Sequence, residues 1–122
     1  LNARISELCR ECKKPVNVVD DVELCSFIMP SMVKKGALTV AISTNGKSPA
    51  YARRLKKTIE RQLPKHIDEI LERLGQFRKT IAEKITEQSD RKLFYKEALE
   101  QLIEHDNAVS DDEITDIAEK YI

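Results

Sequence analysis

No charge of either sign predominates in this chain, where 21 lysines and arginines stand against 21 aspartates and glutamates. There is then no global field to draw in nucleic acid or an anionic membrane, and charge arguments become local. No nucleic-acid partner is expected. No apolar run approaches the ~20 residues that span a bilayer, and the first residues lack the charged-then-apolar layout of a secretion signal. The reading is a soluble, cytoplasmic protein with no membrane partner. Cysteine is scarce and odd in number, at Cys9, Cys12 and Cys25, which argues against a closed disulfide framework. Cys9 and Cys12 form a C-x-x-C, but no second pair and no neighbouring histidine completes a zinc site, so ordinary reduced helix cysteines are expected. His66 and His105, the only histidines, lack acids or cysteines arranged for tetrahedral ligation and read as surface residues, so no metal site is expected. Repeats, linkers and low-complexity tracts are also missing. The chain opens on Leu1, without an initiator Met and already in a helical pattern, and reads as part of something longer.

What is present changes character along the chain. Ile5, Leu8, Cys9 and Cys12 recur at helical spacing, and Lys13-Lys14-Pro15 closes that helix. Val16 to Val19 is nearly continuous β-branched sequence, as in a strand covered on both faces, and a helix feeding such a strand suggests the trailing part of an α/β unit. Phe27 to Pro30 and Ala37 to Ile42 flank Lys34-Lys35-Gly36 and read as a hairpin or two sequential strands, with Pro30 at an edge or bulge. Ser48 is a good N-cap and Pro49 a good first helical residue for a helix to about Leu63. From Pro64 the pattern is helical throughout: Ile67, Ile70, Leu71, Leu74, Phe77, Ile81 and Ile85 form one stripe, and Leu93, Phe94, Ala98, Leu99, Leu102 and Ile103 another. Ser110-Asp111-Asp112-Glu113 is a capping box for a last helix. The expected divisions are 1–26, the end of a Rossmann-like domain; 27–63, a strand-loop-helix segment; and 64–122, an all-α domain.

Two segments carry chemistry. Asp20 and Asp21 follow the Val16–Val19 strand, and the C-terminal ends of such strands are where α/β folds place ligands. A partly desolvated acid there has a raised pKa and serves as a base near neutral pH, whereas the plainer reading is a cap for the next turn. The loop Ser43-Thr44-Asn45-Gly46-Lys47-Ser48 offers hydroxyls, an amide, a lysine and the N-terminus of a helix carrying Arg53 and Arg54, a fit for anions. Gly46-Lys47-Ser48 is not the end of a phosphate-binding P-loop, because the glycine required five residues earlier is Ala41 and Pro49 follows. A capped surface loop is the plainer alternative here too.

Three stretches, NVVDD at 17–21, ELCSFIMPSMVKKGALTVAIST at 23–44 and NGKSPAYARRL at 45–55, resemble the middle of the precorrin-2 dehydrogenases, many of which are also sirohydrochlorin ferrochelatases. The likeness covers roughly the first half of the chain. It implies an α/β remnant of a Rossmann-like domain, a dimerisation segment with the tetrapyrrole-site loop, and an all-α C-terminal domain. It further implies NAD-dependent oxidation of precorrin-2 to sirohydrochlorin, with Fe2+ insertion in the bifunctional members, and a homodimer. The NAD site belongs to an upstream βαβ unit with a Gly-rich turn, which is not in this sequence. Asp20 matches the acid implicated in both reactions, and Ser43, Thr44, Asn45, Gly46, Lys47 and Ser48 match the S-[ST]-x-G-x-S-P segment that lines the tetrapyrrole site. Lys47, Arg53 and Arg54 are candidate partners for the substrate's carboxylates, with Phe27, Met29 and Met32 covering the ring face. Val22 stands where the family has the proline of DPEL, which implies a turn of altered stiffness. Two other classes stay open: a non-catalytic tetrapyrrole-binding or dimerisation module, and a helical interaction protein.

Overall fold

A computed structural model describes residues 1–122, a mixed α/β chain of five α-helices, one 3₁₀ turn and two strands. Contacts divide it into two compact units, Leu1–Val33 with Val40–Arg61 and Lys34–Thr39 with Gln62–Ile122.

In the first unit, α1 (Asn2–Glu11) ends where Cys12 caps it and Lys13 turns the chain at φ 53°. Its one buried residue is Ser6, while Ile5 and Leu8 stay exposed. Polar contacts explain this inversion of the expected apolar stripe. The Ser6 hydroxyl donates to the Leu24 carbonyl at 2.7 Å and Arg10 to that of Glu23 at 3.0 Å, so α1 is held to the 3₁₀ turn Val22–Leu24.

Val16–Val19 does not form the expected buried strand. Val16 is buried but Val19 is 79% exposed, and the segment is irregular. A ladder needs a neighbouring strand, and the only sheet here is a two-stranded one made elsewhere. Nor does Phe27–Pro30 form a strand. Extended structure begins after the proline, as β1 (Ser31–Lys35), and returns as β2 (Leu38–Ile42). Proline cannot donate to a ladder and is confined to its margins. Lys34 and Lys35 thus lie in the strand, and the turn is Gly36-Ala37. Gly36 has φ 53°, and Ala37 is not among the positive-φ residues, the pattern of a two-residue II′ hairpin loop. Side chains are excluded at Gly36 for a second reason: a Cβ there would meet the Asp68 Cβ at 2.8 Å. α2 (Pro49–Gln62) follows as expected, with the Tyr51 N–H donating to the Ser48 hydroxyl at 3.3 Å.

The second unit is built on α3 (Ile67–Lys84), α4 (Gln88–Glu104) and α5 (Asp111–Glu119). Ile70, Ile81, Ile85, Phe94, Ala98, Leu102, Ile114, Ile117 and Ala118 form its core. The stripe on α4 is narrower than the sequence suggests: Phe94, Ala98 and Leu102 are fully buried at four-residue spacing, while Leu93 is 50% exposed. α3 runs through Gly75 unbroken, and a Cβ there would meet nothing. Arg73 fastens α3 to the turn before α5, donating to the Asn107 and Val109 carbonyls and to the carboxylate of Asp111. The capping box is present in full: Ser110 Oγ accepts from the Glu113 N–H, and the Glu113 carboxylate accepts from the Ser110 N–H. Those Ser110 bonds hold the Glu113 carboxyl below its usual range.

Candidate functional site

The first unit contains both segments singled out above. Residues 16–27 form an excursion closed by side chains instead of a ladder. Ser26 N–H donates to the Val16 carbonyl and Val16 N–H to the Ser26 hydroxyl, each at 2.8 Å, and Asn17 Nδ2 donates to the Phe27 carbonyl at 3.0 Å. Cys25 supplies the next rung. Its sulfur accepts from Val18 N–H at 3.1 Å, and its single proton is shared between the carbonyls of Asp21 at 3.2 Å and Val18 at 3.4 Å. Asp20 lies at the tip, in the left-handed region with φ 61°. Asp and Asn tolerate that conformation better than other side chains, because their short polar groups bond locally. The Asp20 carboxylate is exposed, not desolvated as a buried strand end would have made it, and it joins no ion pair. Asp21 precedes the 3₁₀ turn but makes no side-chain cap bond.

The loop 43–48 uses its hydroxyl oxygens to hold its own shape. Ser43 Oγ accepts from Asn45 N–H at 3.1 Å, Thr44 Oγ1 from Ser48 N–H at 3.0 Å, and Ser48 Oγ from Tyr51 N–H. A hydroxyl whose oxygen takes a backbone proton still has its own proton to donate, so the loop presents donors, which is the polarity a carboxylate requires. Asn45 and Gly46 both have positive φ, at 53° and 77°. Lys47, Arg53 and Arg54 are exposed, and none has a carboxylate within ion-pair distance.

Gly46 joins the two segments. A Cβ at this position would meet the Val22 methyls at 3.1 and 3.2 Å, so the loop backbone is seated directly on the residue two places beyond Asp20. Asn45 and Cys25 line one cleft of ≈ 240 Å3 with Val22, Ser26, Phe27 and Ile28. Beside it, Ser43, Thr44 and Gly46 border a cavity of ≈ 60 Å3 with Ile28, Met29 and Pro49. That cavity is well below the ~300–1,000 Å3 of an enclosing ligand pocket, so a large ligand would lie across this surface. Met29, 65% exposed, and Met32, 49%, are available there, with Phe27 between exposed and half-buried.

Charge is segregated where composition suggested balance. The first unit has ten basic side chains against six acidic, the second eleven against fifteen. Of the six cations in the first unit beyond residue 40, only Lys56 is ion-paired, with Glu60. Cys25, Ser26 and Val22 are the site residues that sequence reasoning missed. Val22 stands out in the sequence only as a departure from DPEL, and a solitary cysteine between Leu24 and Ser26 gives no signal of its own. His66 lies near Glu69 and Asp106, and no group of three metal-ligating side chains occurs.

Two families match adjoining stretches of the chain: "Putative NAD(P)-binding" over residues 1–31 and "Sirohaem biosynthesis protein central" over residues 35–62. Among curated proteins, the siroheme synthase of Ruthia magnifica subsp. Calyptogena magnifica is 39% identical over 103 residues, covering 84% of this chain and 22% of the relative. That of Zymomonas mobilis subsp. mobilis is 38% identical over 111 residues, 91% of the chain and 24% of the relative. A Neisseria meningitidis serogroup C siroheme synthase is 37% identical over 95 residues, 78% and 20% respectively. The chain thus spans between a fifth and a quarter of the length of these relatives. No helix is long and apolar enough to cross a membrane.

Proposed function

We propose that this chain, which belongs to the siroheme synthase family as a segment of such a protein, provides the tetrapyrrole-handling surface and the general base of a precorrin-2 dehydrogenase that also acts as a sirohydrochlorin ferrochelatase. The observation that supports the reading is the contact of Gly46 with Val22, which brings the donor loop against the segment that follows Asp20. Precorrin-2 bears a rim of acetate and propionate carboxylates. The hydroxyls of Ser43, Thr44 and Ser48, the amide of Asn45, and the unpaired Lys47, Arg53 and Arg54 suit that rim, and the exposed methionines suit the ring face.

Oxidation to sirohydrochlorin removes a hydride, accepted by NAD+, and a proton. Asp20 is the group that takes the proton. Residues 1–31 contain no glycine, so they offer no close backbone approach for a dinucleotide pyrophosphate, and the step assigned to this chain is the proton's alone. In ferrochelation the macrocycle nitrogens bind Fe2+, and Asp20 takes the protons they release. The exposure of its carboxylate leaves it accessible to both. The second reading is a tetrapyrrole-binding module without dehydrogenase activity of its own.

Titration with sirohydrochlorin, followed by absorbance, tests the surface. Gly46→Ala should weaken binding roughly ten-fold, since a left-handed backbone and a Val22 contact must both yield. Lys47→Gln should weaken it about three- to ten-fold through loss of one charge-assisted bond. Unchanged affinity in both variants would remove the loop from the site. Binding without NADH formation from precorrin-2, in a polypeptide of the relatives' full length, would select the module reading.

The homodimer belongs to the same proposal. A two-stranded sheet leaves both outer edges unpaired, and Met29 and Met32 place large apolar side chains in solvent beside it. Met32→Glu should therefore convert a species of twice the 14.0 kDa chain mass to monomer in sedimentation equilibrium. A monomeric wild type would refute the assignment.

A further inference from the structure

We infer that Cys25 is a positioning residue for Asp20, a role that rests on the proposed base function of Asp20 but is separable from it by experiment. The turn 18–21 has no ladder to fix it. Apart from the Asp21 N–H to Val18 carbonyl contact at 3.4 Å, what spans it is the Cys25 thiol, bonded to both polar backbone groups of Val18 and to the carbonyl of Asp21. These bonds bracket Asp20 on its two sides. Asp20 stands at φ 61°, a left-handed conformation that aspartate tolerates, and the bonds of the sulfur to Val18 and Asp21 fix the backbone on either side of it.

The thiol has a second face. It lines the ≈ 240 Å3 cleft with Asn45 of the donor loop and Val22, on which Gly46 is seated. One side chain therefore touches the turn that holds the base and the wall shared with the loop that would hold the carboxylates. Sulfur suits this place because separations of 3.1 to 3.4 Å are ordinary for its large radius and lie at the long end for a hydroxyl. Serine keeps both roles at shorter reach, and alanine keeps neither.

The test compares Cys25→Ala, Cys25→Ser, Asp20→Asn and the Cys25→Ala/Asp20→Asn double variant in Fe2+ insertion into sirohydrochlorin, using the full-length protein. Cys25→Ala should lower the insertion rate about ten-fold, with Cys25→Ser restoring most of it, because a displaced base loses rate steeply. Added to Asp20→Asn, Cys25→Ala should have no further effect, since a positioning group acts only through the group it positions. Amide hydrogen exchange gives a readout independent of activity: Val18 N–H should exchange faster in Cys25→Ala while amides within α2 and α4 keep wild-type protection. Additive rate losses, or Val18 protection unchanged in Cys25→Ala, would overturn the role of Cys25. If Asp20→Asn alone is fully active, the base assignment fails instead, and the exchange result still decides whether Cys25 holds the turn.

Discussion

Asp20→Asn should lower both NADH formation from precorrin-2 and Fe2+ insertion into sirohydrochlorin by ~10²–10⁴-fold, the usual contribution of a general base, while leaving affinity for the tetrapyrrole nearly unchanged. Asparagine is the informative replacement. At φ 61° it occupies the left-handed region about as readily as aspartate, whereas alanine would add backbone strain and confound lost chemistry with a distorted turn. Removing the carboxylate also leaves nothing unpaired, because Asp20 is exposed and joins no ion pair. Stability should therefore stay within about 0.5 kcal/mol of wild type, as for surface substitutions generally. The assays are spectrophotometric, on the full-length protein. A variant that keeps both activities within three-fold (about 0.7 kcal/mol) would exclude Asp20 as the base of either step, and loss of one activity alone would show that the two reactions use different bases.

The helices of this chain are legible because their signals are local. Ser48-Pro49, Ser110 with Glu113, and the spacing of Phe94, Ala98 and Leu102 each state a start or a buried face within a few residues, and each is found in place. Strand assignments depend on neighbours and fared worse. Val16–Val19 has the composition of a buried strand, but composition does not provide a ladder, and side chains of Cys25 and Ser26 satisfy its backbone instead. The sequence pattern places Lys34 and Lys35 in the turn with Gly36, between the two extended segments. On a half-exposed edge hairpin charged residues are normal, and it is Gly36, with φ 53° and Asp68 against it, that sets the turn. The loop at 43–48 was legible as a donor-rich segment, and its contact with Val22 was not, since no spacing rule links residues more than twenty apart. Net charge misled for a similar reason. Balance over the whole chain conceals a basic first unit, with five cations free of ion pairs on and after the loop.

Phe94→Ala should unfold the helical unit for most of the population. Phe94 is fully buried, and its ring meets that of Tyr95 edge-on with centroids 5.0 Å apart. Around it are aliphatic side chains from α3, α4 and α5, so its removal leaves a cavity that three helices border and none can close alone. Such truncations cost about 3–5 kcal/mol from lost transfer energy and the residual void. A core of this size, in a unit comprising residues 34–39 and 62–122, rarely supplies more than about 3–5 kcal/mol in total. The two quantities are equal in scale, and the folded fraction should fall accordingly. Far-ultraviolet circular dichroism at room temperature should show loss of most of the α3–α5 signal, with urea midpoints quantifying what remains. Leu93→Ala, one residue earlier on the same helix but half exposed, should shift stability by no more than about 0.5–1 kcal/mol, since its side chain leaves no sealed void. Equal losses at 93 and 94 would mean that α4 is stabilised by helix propensity and not by the packing of the face that Phe94, Ala98 and Leu102 define.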